Sequence, residues 1–223
     1  MTSMDSDAFA ELACEPDPPV EELALGLAAE FGPVDAALAR ARLDSLAAEV
    51  ADELAQVDPD PVSALGAVIG RRRGFTGDAS EYDHPHNSML PMVLERRRGL
   101  PITLSVLYVA VARRAGIPLH GVGLPGHFVA GHFPARDARP ELLDPFHAGV
   151  RIAVPDLPEA LLRPWGPHDT TLRMINNLVA AFSRRGALAD AIHAADLRLL
   201  LPVDPADMEQ LTLEARALRA RLN

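Results

Sequence analysis

His127 and Asp144 are the residues whose types and spacing best suit them to chemistry. His127 opens the run HFVAGHF directly after Pro125-Gly126, and Asp144 closes the next run, ELLD. Read as antiparallel strands that turn within PARDARP (134–140), the two runs set imidazole and carboxylate at the same level. A carboxylate bonded to one ring nitrogen fixes the tautomer, and the other nitrogen can then act as a base. A slip of one residue in the register would put the groups on opposite faces. The nucleophile for such a base is less plain. The start of the apolar helix that precedes the strands reads Pro101-Ile102-Thr103-Leu104-Ser105, which offers the hydroxyls of Thr103 and Ser105. A hydroxyl needs full general-base help and an accurate oxyanion hole. Both residues are also ordinary helix fillers that bond back to the preceding turn.

Metal ligation is the other chemistry to weigh, because five histidines (His84, His86, His127, His132 and His147) fall in one stretch. His127 and His132 differ by an odd number on one strand, so they face opposite sides. His84-x-His86 could chelate, but no second short-spaced ligand pair supports it. The expectation is no metal and no cofactor.

The elements that must position these residues follow from hydrophobic periodicity. Residues 1–19 read as a flexible arm with at most a short helix. From Val20 to about Gly70 the pattern predicts three helices, with Gly and Asp-Pro at their ends. Residues 71–90 have loop chemistry and lead into a short helix over 88–97. A helix over 101–115 begins with Pro in its first turn and ends with Arg113 and Arg114 before Gly116; it is apolar nearly all round and so is expected to be buried. LHGVGL, HFVAGHF and ELLD are expected to form an antiparallel sheet on that helix, and 150–169 a connecting loop. From about residue 170 the pattern is helical again. Asn177, Leu178, Ala181, Phe182, Gly186, Ala191, Ile192 and Pro202 sit at the spacings of a single tetratricopeptide unit. One such unit cannot bury its own face, so it is expected to dock on what precedes it.

Composition narrows the function classes. The net charge of −10 argues against nucleic acid and against an anionic membrane as partner. The Arg runs at 71–73 and 96–98 are expected to be solvated helix ends or carboxylate partners. There are no lysines, a bias of the kind high-GC bacterial genomes produce. The single cysteine, Cys14, rules out an internal disulfide and fits a reducing cytoplasm. The apolar run at 102–112 is far short of the roughly 20 residues a membrane span needs.

The stretch from Gly74 to His132 resembles the SirB1 family of transglutaminase-like proteins. The matching elements are Gly74-Phe75, Gly77, Tyr82, Asn87-Ser88, Gly99 to Leu104, Arg114 to Ile117, and Gly121 to Phe128. The resemblance implies an α+β fold: a transglutaminase-like, papain-like core over 20–169 and tetratricopeptide-like helices over 170–223. The superfamily is similar to papain-like enzymes in using Cys, His and Asp. His127 and Asp144 match the last two, whereas the cysteine position falls on Pro101, Thr103 or Ser105. The resemblance further implies a cleft lined by Asn87, Tyr82, Pro125, Gly126 and Phe128. Asn87 would supply an oxyanion-stabilising amide there, or else simply cap the following helix. The leading expectation is a non-catalytic module that binds a peptide or protein. The alternative is a hydrolase or acyltransferase using Thr103 or Ser105 with His127 and Asp144. A third reading makes the helical tail an assembly adaptor.

Overall fold

Residues 101–114 carry apolar side chains on every side. In the computed structural model, which describes residues 7–55, 60–134, 139–154 and 156–221, they form the buried centre of the fold. In this helix, α6 (Pro101–Arg114), Leu104, Leu107, Tyr108 and Val111 are wholly buried. A four-stranded antiparallel sheet packs on it: β3 (Leu119–Leu124), β4 (His127–His132), β5 (Glu141–Asp144) and β6 (Val150–Ile152), in that order. The edge strand β6 lies in a segment expected to be loop; its three residues are too few to show alternation. Two short parallel strands, β1 (Thr76–Gly77) and β2 (Arg98–Gly99), pair beside the start of α6.

Around this centre lie α1 (Asp7–Ala13), α2 (Val20–Ala29), α3 (Ala36–Leu54), α4 (Pro61–Leu65) and α5 (Leu90–Arg96). Helix α1 is the short helix allowed for in the N-terminal arm. Its Phe9 is wholly buried and Ala13 nearly so, which makes Asp7–Ala13 part of the packed body. Helix α4 runs on as a π-helix, Gly66–Arg72, where the sequence predicts a continuous α-helix. Two glycines of this stretch meet a close approach invisible to periodicity. A Cβ on Gly66 would lie 2.4 Å from the carbonyl oxygen of Gly149, and one on Gly70 1.8 Å from that of Ala148. Only glycine lets the loop after β5 seat itself there.

Charges settle where the packing needs them. Arg72 pairs with Glu53 at 2.6 Å and Arg73 with Glu49, so two arginines of the 71–73 run take carboxylate partners. Arg113 and Arg114 do more than match the helix dipole. Both bond Glu21 of α2, which is wholly buried. Burial pushes the Glu21 carboxyl up, but the two guanidiniums and a backbone N–H outweigh it and hold it below its usual value.

The C-terminal part forms α7 (Pro167–Arg184), α8 (Leu188–Leu197) and α9 (Pro205–Ala220). Met174, Ile175, Leu178 and Phe182 of α7 join the same hydrophobic core as α2 and α6, and Phe182 stacks on Phe31 with ring centroids 5.1 Å apart. His193 of α8 meets Glu30 at 3.0 Å. Ile192, one of the tetratricopeptide-spaced positions, is only half-buried; α8 instead buries Ala191, Ala194, Ala195 and Leu197. No helix among the described residues is long and apolar enough to cross a membrane.

Candidate functional site

The hairpin of β3 and β4 closes through Pro125-Gly126, with Gly126 at φ +73°, as the third position of a Pro-Gly turn requires. His127 follows at once and is half-buried. Asp144 ends β5 and is 5% exposed. Pro145 stops the strand, and the Asp144 carboxylate caps the 3-10 turn Pro145–His147: Oδ1 accepts the backbone N–H of Phe146 at 3.0 Å and of His147 at 3.4 Å.

That leaves Oδ2, which meets Nε2 of His127 at 2.9 Å. The route differs from the expected one. The β4–β5 ladder pairs Ala130 with Leu143 and Gly131 with Leu142, so its register, extended, sets Asp144 opposite Val129 rather than His127. The offset is two residues, and a two-residue offset keeps both side chains on one face. The pair is a diagonal one, and a long imidazole spans such a distance.

His147 is the group that sequence reasoning passed over. Its Nδ1 lies 2.8 Å from the same Oδ2. The signal was present as Asp144-Pro145-Phe146-His147, a short-spaced pair of the kind sought and not found around His84 and His86. Burial pushes the Asp144 carboxyl up, but the hydrogen bonds with His147 and His127 prevail and hold it below its usual value.

Phe146 ties the surroundings together. Its ring centroid lies 6.5 Å from that of His127 and 6.0 Å from that of Tyr82, which is exposed. Its carbonyl accepts the hydroxyl of Thr76 at 2.9 Å, and a Cβ on Gly77 would strike its ring at 2.3 Å. The 145–147 turn is thereby seated against β1, which pairs with β2 just ahead of α6. Pro125 and Gly126 are exposed beside His127.

Four expected site residues do not join this group. Asn87 is wholly buried, its amide donating to the carbonyl of Glu81 at 2.7 Å and its Oδ1 accepting Arg96 at 2.9 Å. It is a structural knot, and the capping position of α5 belongs to Met89. Phe128, next to His127 on the strand, projects to the other side, where it is buried edge-on against Trp165 with ring centroids 5.4 Å apart. There it borders a separate cavity of about 430 Å³, with Val106, Ile117 and Trp165. Ser105 is wholly buried and its hydroxyl donates to the carbonyl of Pro101 at 2.8 Å. Thr103 is wholly buried and its hydroxyl has no partner.

Chemically, His127 donating from Nε2 to Asp144 leaves Nδ1 as a lone-pair base. Such a dyad serves a thiol well, but the first turn of α6 holds Pro101, Thr103 and no cysteine. Cys14 is exposed just after α1.

Comparison with known proteins gives the relationship. Residues 37–189 match the family model of the transglutaminase-like superfamily. A UPF0162 protein of Xylella fastidiosa is 32% identical over 197 residues, covering 79% of this chain and 69% of its own. A UPF0162 protein of Pseudomonas aeruginosa is 39% identical over 162 residues, 70% of this chain and 56% of its own. F-box only protein 21 of Mus musculus is 30% identical over 174 residues, 70% of this chain but 27% of its own. No solved structure matches.

Proposed function

This chain belongs to the transglutaminase-like superfamily, with the SirB1-like UPF0162 proteins among its relatives, and from that premise we propose that it is a non-catalytic module that binds a peptide or protein. The observation that carries the reading is the start of α6. Its first turn has no thiol, the Ser105 hydroxyl is committed to Pro101, and Thr103 is sealed from solvent. Around the vacant role Tyr82 and the Pro125-Gly126 turn are exposed and His127 and Phe146 half-buried, with the Phe146 ring near both Tyr82 and His127. Exposed aromatics beside hydrogen-bonding groups are what peptide recognition uses. The relationship to F-box only protein 21, of which the matched part is a minor share, supports reading the unit as a module. The C-terminal helices, taken as one tetratricopeptide-like unit, would add a second contact surface, where α9 leaves Leu213 exposed. A cytoplasmic setting belongs to the same proposal.

The test pairs labelling with binding. A fluorophosphonate or activated acyl probe is expected to leave Thr103 and Ser105 unmodified. Peptides selected from a displayed random library are expected to bind the wild type and to lose about tenfold or more in affinity on Tyr82→Ala, a loss of at least about 1.4 kcal/mol. Labelling of either hydroxyl that disappears in His127→Ala would replace this reading with the hydrolase or acyltransferase.

A further inference from the structure

Asp144 is asked to accept two imidazoles on one oxygen, which is more than a catalytic His–Asp pair needs. Nε2 of His127 lies 2.9 Å and Nδ1 of His147 2.8 Å from Oδ2, and the three atoms all fall within 4.8 Å of one another. We propose that His127, Asp144 and His147 form a binding site for a divalent transition metal of the zinc, cobalt or nickel type.

The geometry fits ligands sharing an ion. Two atoms each about 2.1 Å from a metal and at right angles are about 3.0 Å apart. Both nitrogen–oxygen separations here match that octahedral edge, which suits cobalt and nickel, and would open by roughly 0.5–0.6 Å to reach the tetrahedral edge of about 3.4 Å that zinc prefers. The donor set decides the class of ion. Two imidazoles and one carboxylate suit borderline transition metals, whereas magnesium and calcium call for oxygen ligands. Three protein ligands leave coordination positions for water or a ligand. Those positions have somewhere to go, because the side chain of His147 is 66% exposed and that of His127 28%.

The scaffold holds the ligands before any ion arrives. Asp144 is locked by the two backbone N–H groups on Oδ1, so its free oxygen has one direction. His127 is fixed by the Pro-Gly turn before it. His147 is fixed by its place in the 3-10 turn and by Ala148, which takes the left-handed conformation at φ +57°. The π-helix glycines seat that left-handed corner from below. Fold stability does not require the ring of His147. The turn is already capped through its backbone, and an exposed imidazole hydrogen bond adds little. Arg173 bonds the carbonyl oxygen of His127 at 3.3 Å, but its guanidinium lies over the rings of Phe128 and Trp165, on the other side of the strand.

The inference does not rest on peptide binding. It does explain why the dyad can change use. A metal on Nε2 of His127 takes the nitrogen that would donate to Asp144, so the ion and a triad compete for the same group. A chain with no thiol on α6 loses nothing by that competition.

The test uses the full chain, stripped with a chelator and titrated with zinc by calorimetry and with cobalt by visible ligand-field absorption. One equivalent should bind, and zinc should raise the melting temperature. His147→Ala and, separately, His127→Ala should each weaken binding by about 10- to 100-fold. The double variant His84→Ala/His86→Ala, which removes the exposed chelate whose rings lie 4.5 Å apart, should bind as the wild type does. Should His127→Ala fail to fold, His147→Gln decides the matter alone, since that side chain is exposed. The proposal is overturned if the wild type binds neither ion, if binding is undiminished without His147, or if it vanishes with His84 and His86. Peptide binding by the metal-free chain, compared with and without added zinc, separates the two proposals: failure in both states sinks the module and leaves the metal titration standing.

Discussion

Asp144 does three jobs with one carboxylate. It caps a 3-10 turn, orients His127 and accepts His147. Losing a cap typically costs about 1 kcal/mol, and hydrogen bonds to a charged group contribute about 1.5–3 kcal/mol. Asp144→Ala is therefore expected to destabilise the protein by about 2.5–4 kcal/mol, read from urea unfolding, whereas His147→Ala should cost well under 1 kcal/mol because its side chain is exposed. Equal losses in the two variants would mean that the ring of His147, not the turn, carries the stability. At this scale the sequence was legible where a local chain signal marks the residue. His127 and Asp144 stood out because a Pro-Gly turn and a strand end announced them. Phe128 and Asn87 misled because motif residues cluster in sequence while strand alternation and a buried knot send their side chains elsewhere.

Helices and strands that bury a whole face were read correctly from periodicity, as Pro101–Arg114 and the strands from Leu119 to Asp144 show. The π-helix was not, and the carbonyls that its glycines admit lie some eighty positions along the chain. The ion cluster between α2 and α6 was half legible: Arg113 and Arg114 looked like dipole partners, and nothing in Glu21 announced its burial. That cluster carries a pH signature. Glu21 has a folded-state pKa below its unfolded value of roughly 4.3. Its stabilisation is therefore full above that value and fades as pH falls through the depressed folded pKa. Glu21→Gln is expected to cost about 1.5–3 kcal/mol at pH 7. The gap between wild type and variant should shrink at pH 3, as paired denaturation curves would reveal. A gap of constant size would assign the loss to packing instead of charge.

Across the whole molecule, the C-terminal helices differ in how they are held. Helix α7 gives the core Met174, Ile175, Leu178 and Phe182, while α9 buries only Leu211 and Ala215. A chain ending after Leu201 is expected to keep a cooperative melt and dispersed amide spectra. One ending after Gly166 strips four large apolar side chains from the core, and at about 1.5–3 kcal/mol each that exceeds the usual margin of 5–15 kcal/mol at its lower end. It is expected to be insoluble or unfolded; a native-like spectrum from it would show that the core closes without α7. That the tail must dock was legible from its apolar stripe. Where it docks was not, since the partner surface at the end of α2 is formed only once Glu30 and Phe31, just beyond the helix, are in place.

The contact of His193 with Glu30 spans 163 positions of the chain. On the ribosome, α2 leaves the exit tunnel long before the helix that covers it has been made. At roughly 5–20 residues per second, synthesis of the intervening chain takes on the order of 10–30 seconds. Throughout that interval Phe31 has neither Phe182 nor His193 against its ring, although both pack there in the finished protein. The hairpin that carries His127 is made of neighbours and can close within microseconds of emerging. The nascent chain thus holds its polar centre early and its aromatic seam late, and that seam is where a holdase chaperone or a sister chain would first find it.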